Sequence, residues 1–238
     1  MRAAVRPRTT LAGAAVIGGV LVALASPTAA HAERVQLGGV RVDLREGTSQ
    51  VVTVDHTHGV RATVSLWRLT DGGWKRQLAT RDGRTGYGGL VRGERRVQGT
   101  GTTPLGTYGL TSTFGTHGPD ARSRLPHHRI RRGDFWVQDN RSAHYNRLRN
   151  QRDGGFRWWL PSSHPDSSER LTDYPRQYEW SIVTDFNVEQ VRHRGSGIFL
   201  HVNGRGATAG CVSAPRRTIR ALVRLLDPAR VPVIGIGR

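Results

Sequence analysis

IFLHVNGRGATAGCVSAP, residues 198–215, holds the only cysteine of the chain and places a histidine ten positions ahead of it. Residues 198–203 read as a strand, and residues 209–212 read as the start of a returning one. In the intervening GRGAT, Asn203-Gly204 and Gly206 tolerate the positive φ that a turn needs. An antiparallel pair with Asn203 against Ala209 sets His201 directly opposite Cys211, with Cβ atoms roughly 4.5–5.5 Å apart. A slip of one residue would send the two groups to opposite faces.

Downstream, Ile219, Leu222, Val223 and Leu226 fall at helical spacing, and Arg216, Arg217, Arg220 and Arg224 occupy the other side. This predicts a helix over about residues 214–226, with Ser213 as N-cap and Pro215 in the first turn. It would stop at Asp227-Pro228. A helix N-terminus just beyond Cys211 favours a thiolate. Gly210 leaves space for a substrate carbonyl, and backbone N–H groups at Gly210, Cys211 and Val212 are candidates for an oxyanion site. Spacing alone leaves the alternative open that Cys211 and His201 are packing residues.

Working outward, VPVIGIG closes the chain as a strand, and YEWSIVTDFN precedes the motif as another. Residues 33–110 show short alternating runs, Val52/Val54 and Val64/Leu66 among them, with Asp71-Gly72-Gly73 turning into a strand that bears Trp74. In RVQGTGTTPLGTYGL, Thr103-Pro104 should stop one run and Gly106 should bend the next. Residues 115–171 are polar and weakly periodic, as expected of long loops that shape a binding face. Within them DFWVQDN reads as a strand and SAHYNRLRN as a helical turn or two. Trp158-Trp159 could stack on sugars, but closing a small core is the expected role.

At the other end, Arg2, Arg6 and Arg8 precede an apolar run to about residue 25, and Ala30-His31-Ala32 offers a cleavage site. This predicts a signal peptide over residues 1–32 and a secreted or cell-wall-associated mature protein beginning at Glu33. The apolar run is too short to span a bilayer, which needs about 20 residues, so no membrane span is expected after cleavage. The division expected beyond it is a β-rich segment over 33–85 packed on a catalytic domain over 86–238.

One cysteine excludes an intramolecular disulfide. In an oxidising compartment a lone thiol is either buried and inert or kept for its reactivity. Net charge is +18, and Lys75 is the sole lysine. Such a surface concentrates polyanions, and anionic wall polymers are the partner it would suit. The arginines are spread along the chain, which fits solubility equally well and gives no stripe for nucleic acid. A monomer is expected.

GIFLHVNGRGATAGCVS resembles the signature of the L,D-transpeptidase catalytic domain family (YkuD-like), through His201, Thr208, Gly210, Cys211 and Val212. GTGTTPLGTYGL is similar to the family's Thr-Pro-x-Gly-x-Tyr/Phe segment through Thr103, Pro104, Gly106 and Tyr108. DFWVQDNRSAHYNRL and WSIVTDFN resemble segments of one exported branch. The likeness runs over about residues 86–237.

Many members carry a second histidine two places before the cysteine, where this chain has Ala209, so His201 is the motif's only histidine. Many also carry arginine two places after it, where this chain has Ser213, which leaves the group that binds the substrate carboxylate unassigned. The resemblance implies a mainly β, sandwich-like fold with some α. It also implies acyl transfer on peptidoglycan stem peptides through a Cys211 thioester, with His201 as base and no cofactor or metal. Asn203, Thr208 and Ser213 are the candidate substrate-binding residues. Water as acceptor would make the protein an L,D-carboxypeptidase.

Two other classes compete. His56-x-His58 and His127-His128 are pairs that could ligate zinc, but no third ligand or acid stands at readable spacing. A wall-binding module whose catalytic pair had decayed would not need to keep both His201 and Cys211.

Overall fold

The computed structural model describes residues 33–238, with Met1 and Ala4 besides. Apart from those two residues, the expected signal segment and its cleavage site at Ala32 lie outside the described residues. Among the described residues fifteen strands and one α-helix follow in order. They are β1 (Arg34–Leu37), β2 (Val40–Asp43), β3 (Gln50–His58), β4 (Arg61–Thr70), β5 (Gly73–Arg84), β6 (Leu90–Arg92), β7 (Thr103–Gly115) and β8 (His127–Arg129). After these come β9 (Asp134–Trp136), β10 (Leu148–Asn150), β11 (Glu169–Arg170), β12 (Ser181–Thr184), β13 (Phe199–Val202), β14 (Val212–Ala214), α1 (Arg216–Leu225) and β15 (Val233–Gly237). No helix among the described residues is long and apolar enough to cross a membrane.

The molecule is mainly β. Strands β12, β13, β14, β5, β4, β3, β15 and β7 lie edge to edge in that order, and β12 pairs back onto β7. The sheet therefore closes on itself as a barrel-like sandwich, which removes its free edges. Long β7 makes closure possible, because residues 106–109 pair with β15 and residues 110–114 with β12. Alternation along the strands decides what is enclosed. Val52, Val54, Val64, Leu66, Leu200, Val202, Ile234 and Ile236 form one aliphatic core with Ile219, Leu222, Val223 and Leu226 of α1 and its end. The β1–β2 hairpin covers a second apolar cluster through Leu37, Val40 and Val42, and Gly235 lets it approach: a Cβ there would lie 2.6 Å from Val42 Cγ2.

Several expectations need correction. Thr103-Pro104 begins the longest strand instead of ending a run; the missing N–H is tolerated at a strand start. SAHYNRLRN forms one turn, Tyr145 N–H donating to Ser142 O, and then β10, with Asn146 at φ 57° ending any helical path. The helix starts at Arg216 with Pro215 at its N-cap position and no side-chain cap, because Ser213 is inside β14. The division expected at residue 86 cuts a continuous sheet, since β3, β4 and β5 are hydrogen-bonded members of the ring.

The pairing around the motif also differs. β13 and β14 are parallel, and His201 stands beside Ser213, not Cys211. The connection is no tight hairpin. Its polar backbone leans on the end of β5: Arg84 Nη1 donates to Gly204 O at 2.8 Å, Thr208 N–H to Thr85 O and Tyr87 N–H to Thr208 O. The chain is thereby carried back to the start of β13 before it enters β14.

Candidate active site

Parallel pairing still leaves His201 and Cys211 on one face, because 199, 201, 211 and 213 share parity in this register. Leu200, Val202, Val212 and Ala214 point into the aliphatic core. Phe199 and Cys211 belong instead to a second cluster with Phe114, Trp136 and Tyr178. Adjacent strands 4.8 Å apart and a two-residue offset put the Cβ positions of His201 and Cys211 roughly 8 Å apart, a gap that imidazole and thiol can bridge between them. Both side chains line one cavity of about 880 Å³.

Cys211 is held by its backbone surroundings. Phe199 N–H donates to Sγ at 3.4 Å, and the thiol donates to Gly197 O at 3.1 Å. Burial pushes the thiol up to about 12; the Glu169 carboxylate pushes the same way, while the Phe199 N–H and Arg96 oppose it. The thiolate expected from a helix N-terminus is therefore absent at rest. α1 begins five residues later, and a helix end acts only over about one turn.

His201 is also buried, and burial draws its imidazole down to about 4, partly offset by the Val202 carbonyl. Nδ1 lies 2.8 Å from Val202 O, an acceptor only, so Nδ1 carries the proton and Nε2 is left with its lone pair. The ring packs edge-on against Tyr178, centroids 5.5 Å apart.

The loop before the cysteine is braced twice. Thr208 Oγ1 accepts from Gly210 N at 3.2 Å and donates to Cys211 O. Thr103 Oγ1 donates to Gly210 O at 2.8 Å and accepts from Gly86 N. Gly210 has φ 128°, and a Cβ there would meet Thr102 O and Arg96 Nη2 at 2.8 Å, so only glycine fits.

Other residues singled out from the sequence sit elsewhere. Ser213 is wholly buried and its Oγ donates to Asn203 Oδ1 at 2.7 Å, while Asn203 Nδ2 donates to Asp82 O at 2.9 Å. Neither belongs to the cavity wall; they tie β14 to β13 and β5. Val212 points into the core from the β13–β14 ladder. Thr208 does line the cavity. His127 and His128 are engaged by Thr113, the His117 carbonyl and Asp134, and no group of three His, Cys, Asp or Glu among the described residues is set to hold a metal.

Two features of the cavity, Glu169 and Arg96, carried no local signal, and a third, the Trp158-Trp159 pair, was placed wrongly. Glu169, on β11, donates nothing and accepts from Tyr178 Oη; burial raises its carboxyl to about 7 against that hydrogen bond. Arg96 lies buried beside Gly210. Trp158 and Trp159, expected to close a core, instead line the cavity with Trp159 62% exposed, their rings edge to face at 5.8 Å.

Comparison with known proteins bears on this geometry. A family model described as YkuD, L,D-transpeptidase catalytic domain, matches residues 50–234. No curated protein matches the chain. A solved structure from Bdellovibrio bacteriovorus, Bd1075, is similar at 14% identity and a TM-score of 0.41, over 80% of this chain and 48% of that one. The chain thus spans about half the length of that protein, and the likeness is too weak to argue from. The family match extends through the ring of strands from β3 into β15 and includes both His201 and Cys211: this chain belongs to the YkuD family of L,D-transpeptidase catalytic domains.

Proposed function

We propose that this protein is an exported cysteine L,D-transpeptidase acting on peptidoglycan stem peptides. The observation that carries the reading is a neutral thiol and a neutral imidazole, Nδ1 held by a backbone carbonyl, on one face of one cavity in a YkuD chain. With Cys211 pushed up and His201 drawn down, the proton leaves sulfur for Nε2 as the S–C bond forms, not before it.

Cys211 attacks the amide between a diamino acid and a terminal D-alanine. The C–N bond breaks, His201 returns the proton to the leaving amine, and a thioester remains. An amine from a second stem then attacks the thioester, yields its proton to His201 and is acylated, and the proton is restored to Cys211. Gly210 and Val212 mark the backbone from which an oxyanion site would be drawn, and Thr208 supports it. Exposed Trp158 and Trp159 supply faces for sugar rings at the cavity mouth. The arginines on the outer face of α1, partly neutralised by Glu179 and Asp120, support association with anionic wall polymers. Export rests on Arg2, Arg6, Arg8 and the apolar run behind them.

The test is intact-protein mass spectrometry after exposure to a tetrapeptide stem or a carbapenem. A covalent adduct on Cys211 that is absent from Cys211→Ala is expected. No adduct from either reagent would leave a wall-binding protein, and a released tripeptide in the presence of acceptor amine would leave an L,D-carboxypeptidase.

A further inference from the structure

Among the described residues, Arg96 is a cation buried without a counter-charge. Asp134 meets His128 at 2.8 Å, and Asp139 is gripped by the Arg157 guanidinium. Arg96 is only 6% exposed, yet no carboxylate lies within ion-pair distance of it among the described residues. Its ionisable neighbours are Cys211, Tyr145, Tyr108 and Tyr87; none is a carboxylate, and burial pushes Cys211, Tyr145 and Tyr108 up, towards their uncharged forms. Tyr145 is committed elsewhere, donating to Gln98 Oε1 at 2.7 Å and accepting from Gly195 N at 3.0 Å. A buried cation without a counter-charge costs several kcal/mol, so a fold that keeps one either wastes stability or leaves a place for an anion.

The guanidinium is positioned for the second. Nε donates to Thr102 O at 2.8 Å and Nη1 to Arg194 O at 3.3 Å, fixing one side of the fork. Nη2 lies against the face of Gly210, where a Cβ would come within 2.8 Å of it. Arg96 shares the cavity wall with Cys211. Ser213, the nearest motif position that could have supplied a cation, is buried on Asn203 and contributes none. In a peptide cleaved before its last residue, the terminal carboxylate carbon sits roughly 3–4 Å from the attacked carbonyl carbon, so a cation one residue from the nucleophile has the required placement.

We propose that Arg96 forms the subsite that holds the terminal carboxylate of the leaving amino acid, making the protein selective for peptides that end in a free acid at the residue after the scissile bond. The peptide part of this rests on the transpeptidase reading; the anion subsite itself does not. Bidentate charge-assisted hydrogen bonds to a carboxylate suit arginine and not lysine.

The experiment compares alkylation of Cys211 by iodoacetate and by iodoacetamide, followed by intact mass, in the wild type, Arg96→Lys and Arg96→Gln. Loss of thiolate stabilisation slows both reagents alike, so the ratio of rates is the readout. The ratio should fall about 10- to 100-fold in Arg96→Gln, the range of a lost hydrogen bond to a charged group, and should be only partly kept in Arg96→Lys. Should the glutamine variant fail to fold, protection of wild-type Cys211 from iodoacetamide by a free D-amino acid but not by its amide reads the same site. In a parallel arm, a stem tetrapeptide should acylate the wild type at least tenfold faster than the same peptide with a C-terminal amide. A ratio within twofold in wild type and Arg96→Gln, or equal protection by acid and amide, overturns the subsite. Arg96-dependent alkylation with neither peptide acylating the wild type keeps the subsite and overturns the transpeptidase reading instead.

Discussion

Strands β13 and β14 present two faces that obey different rules. On one, Leu200, Val202, Val212 and Ala214 meet Ile219, Leu222 and Val223 of α1 in a largely aliphatic core. On the other, Phe199, His201 and Cys211 meet Tyr178, Glu169 and Arg96, and four of those six, His201, Cys211, Tyr178 and Glu169, carry ionisations shifted far by burial. A single residue step separates the two. The first face supplies stability and the rigidity of the backbone that grips the sulfur; the second spends some of that stability on groups held away from their preferred charge states.

Substitutions should separate the faces cleanly. Cys211→Ala should abolish adduct formation altogether while changing unfolding free energy by less than about 1 kcal/mol, because a small apolar group replaces a neutral thiol; a large fall in Tm would mean that Cys211 is a packing residue. His201→Ala should slow acylation by about two to four orders of magnitude, measured by the rate of mass gain, and a loss under threefold would remove His201 from the chemistry. On the other face, Leu200→Ala should cost about 2–5 kcal/mol in denaturant unfolding yet leave the acylation rate of the remaining folded protein within severalfold of wild type. Equal damage to rate would show that the two faces are not independent.

Acid should reach only the second face. The buried imidazole binds its proton less readily than it does in the unfolded chain, so the unfolded state protonates first as pH falls below about 6.5. Stability is then lost down to about pH 4, by about 3 kcal/mol for this group. The acylation rate should keep its base until pH approaches 4. Unfolding curves at pH 7 and pH 4.5 should show a smaller loss for His201→Gln than for wild type. The smallest effect is expected from Glu169→Gln: above about pH 7 it removes a negative charge that holds the thiol up, so iodoacetamide labelling should quicken severalfold. An unchanged rate would place Glu169 in a purely structural hydrogen bond with Tyr178.

What the sequence disclosed follows from how local each feature is. Val52/Val54 and Val64/Leu66 alternate, so their strands and the turn at Asp71 could be read directly, and all four are buried. The helix after the motif was legible from its spacing, though its start was not, because Ser213 looks like a cap until the strand that contains it is seen. The face shared by His201 and Cys211 survived a wrong strand direction, since parity depends only on an even offset. Direction itself was set by hydrogen bonds from residues 84–87, more than a hundred positions upstream, which no local pattern records. Ring closure between β12 and β7 is equally distant. Arg96 and Glu169 could not be singled out, because one basic residue among 36 shows nothing in sequence of which will be buried without a partner.

The loop that returns to β14 bears on when the cavity around Cys211 is assembled. Its supports on Arg84, Thr85 and Tyr87 are contacts of very high sequence separation, which form only after the entropy of closing a long chain segment has been met. The surroundings of the sulfur, the Phe199 N–H and the Gly197 carbonyl included, should therefore be completed near the end of folding, and a chain emerging unfolded carries an exposed, ordinary thiol.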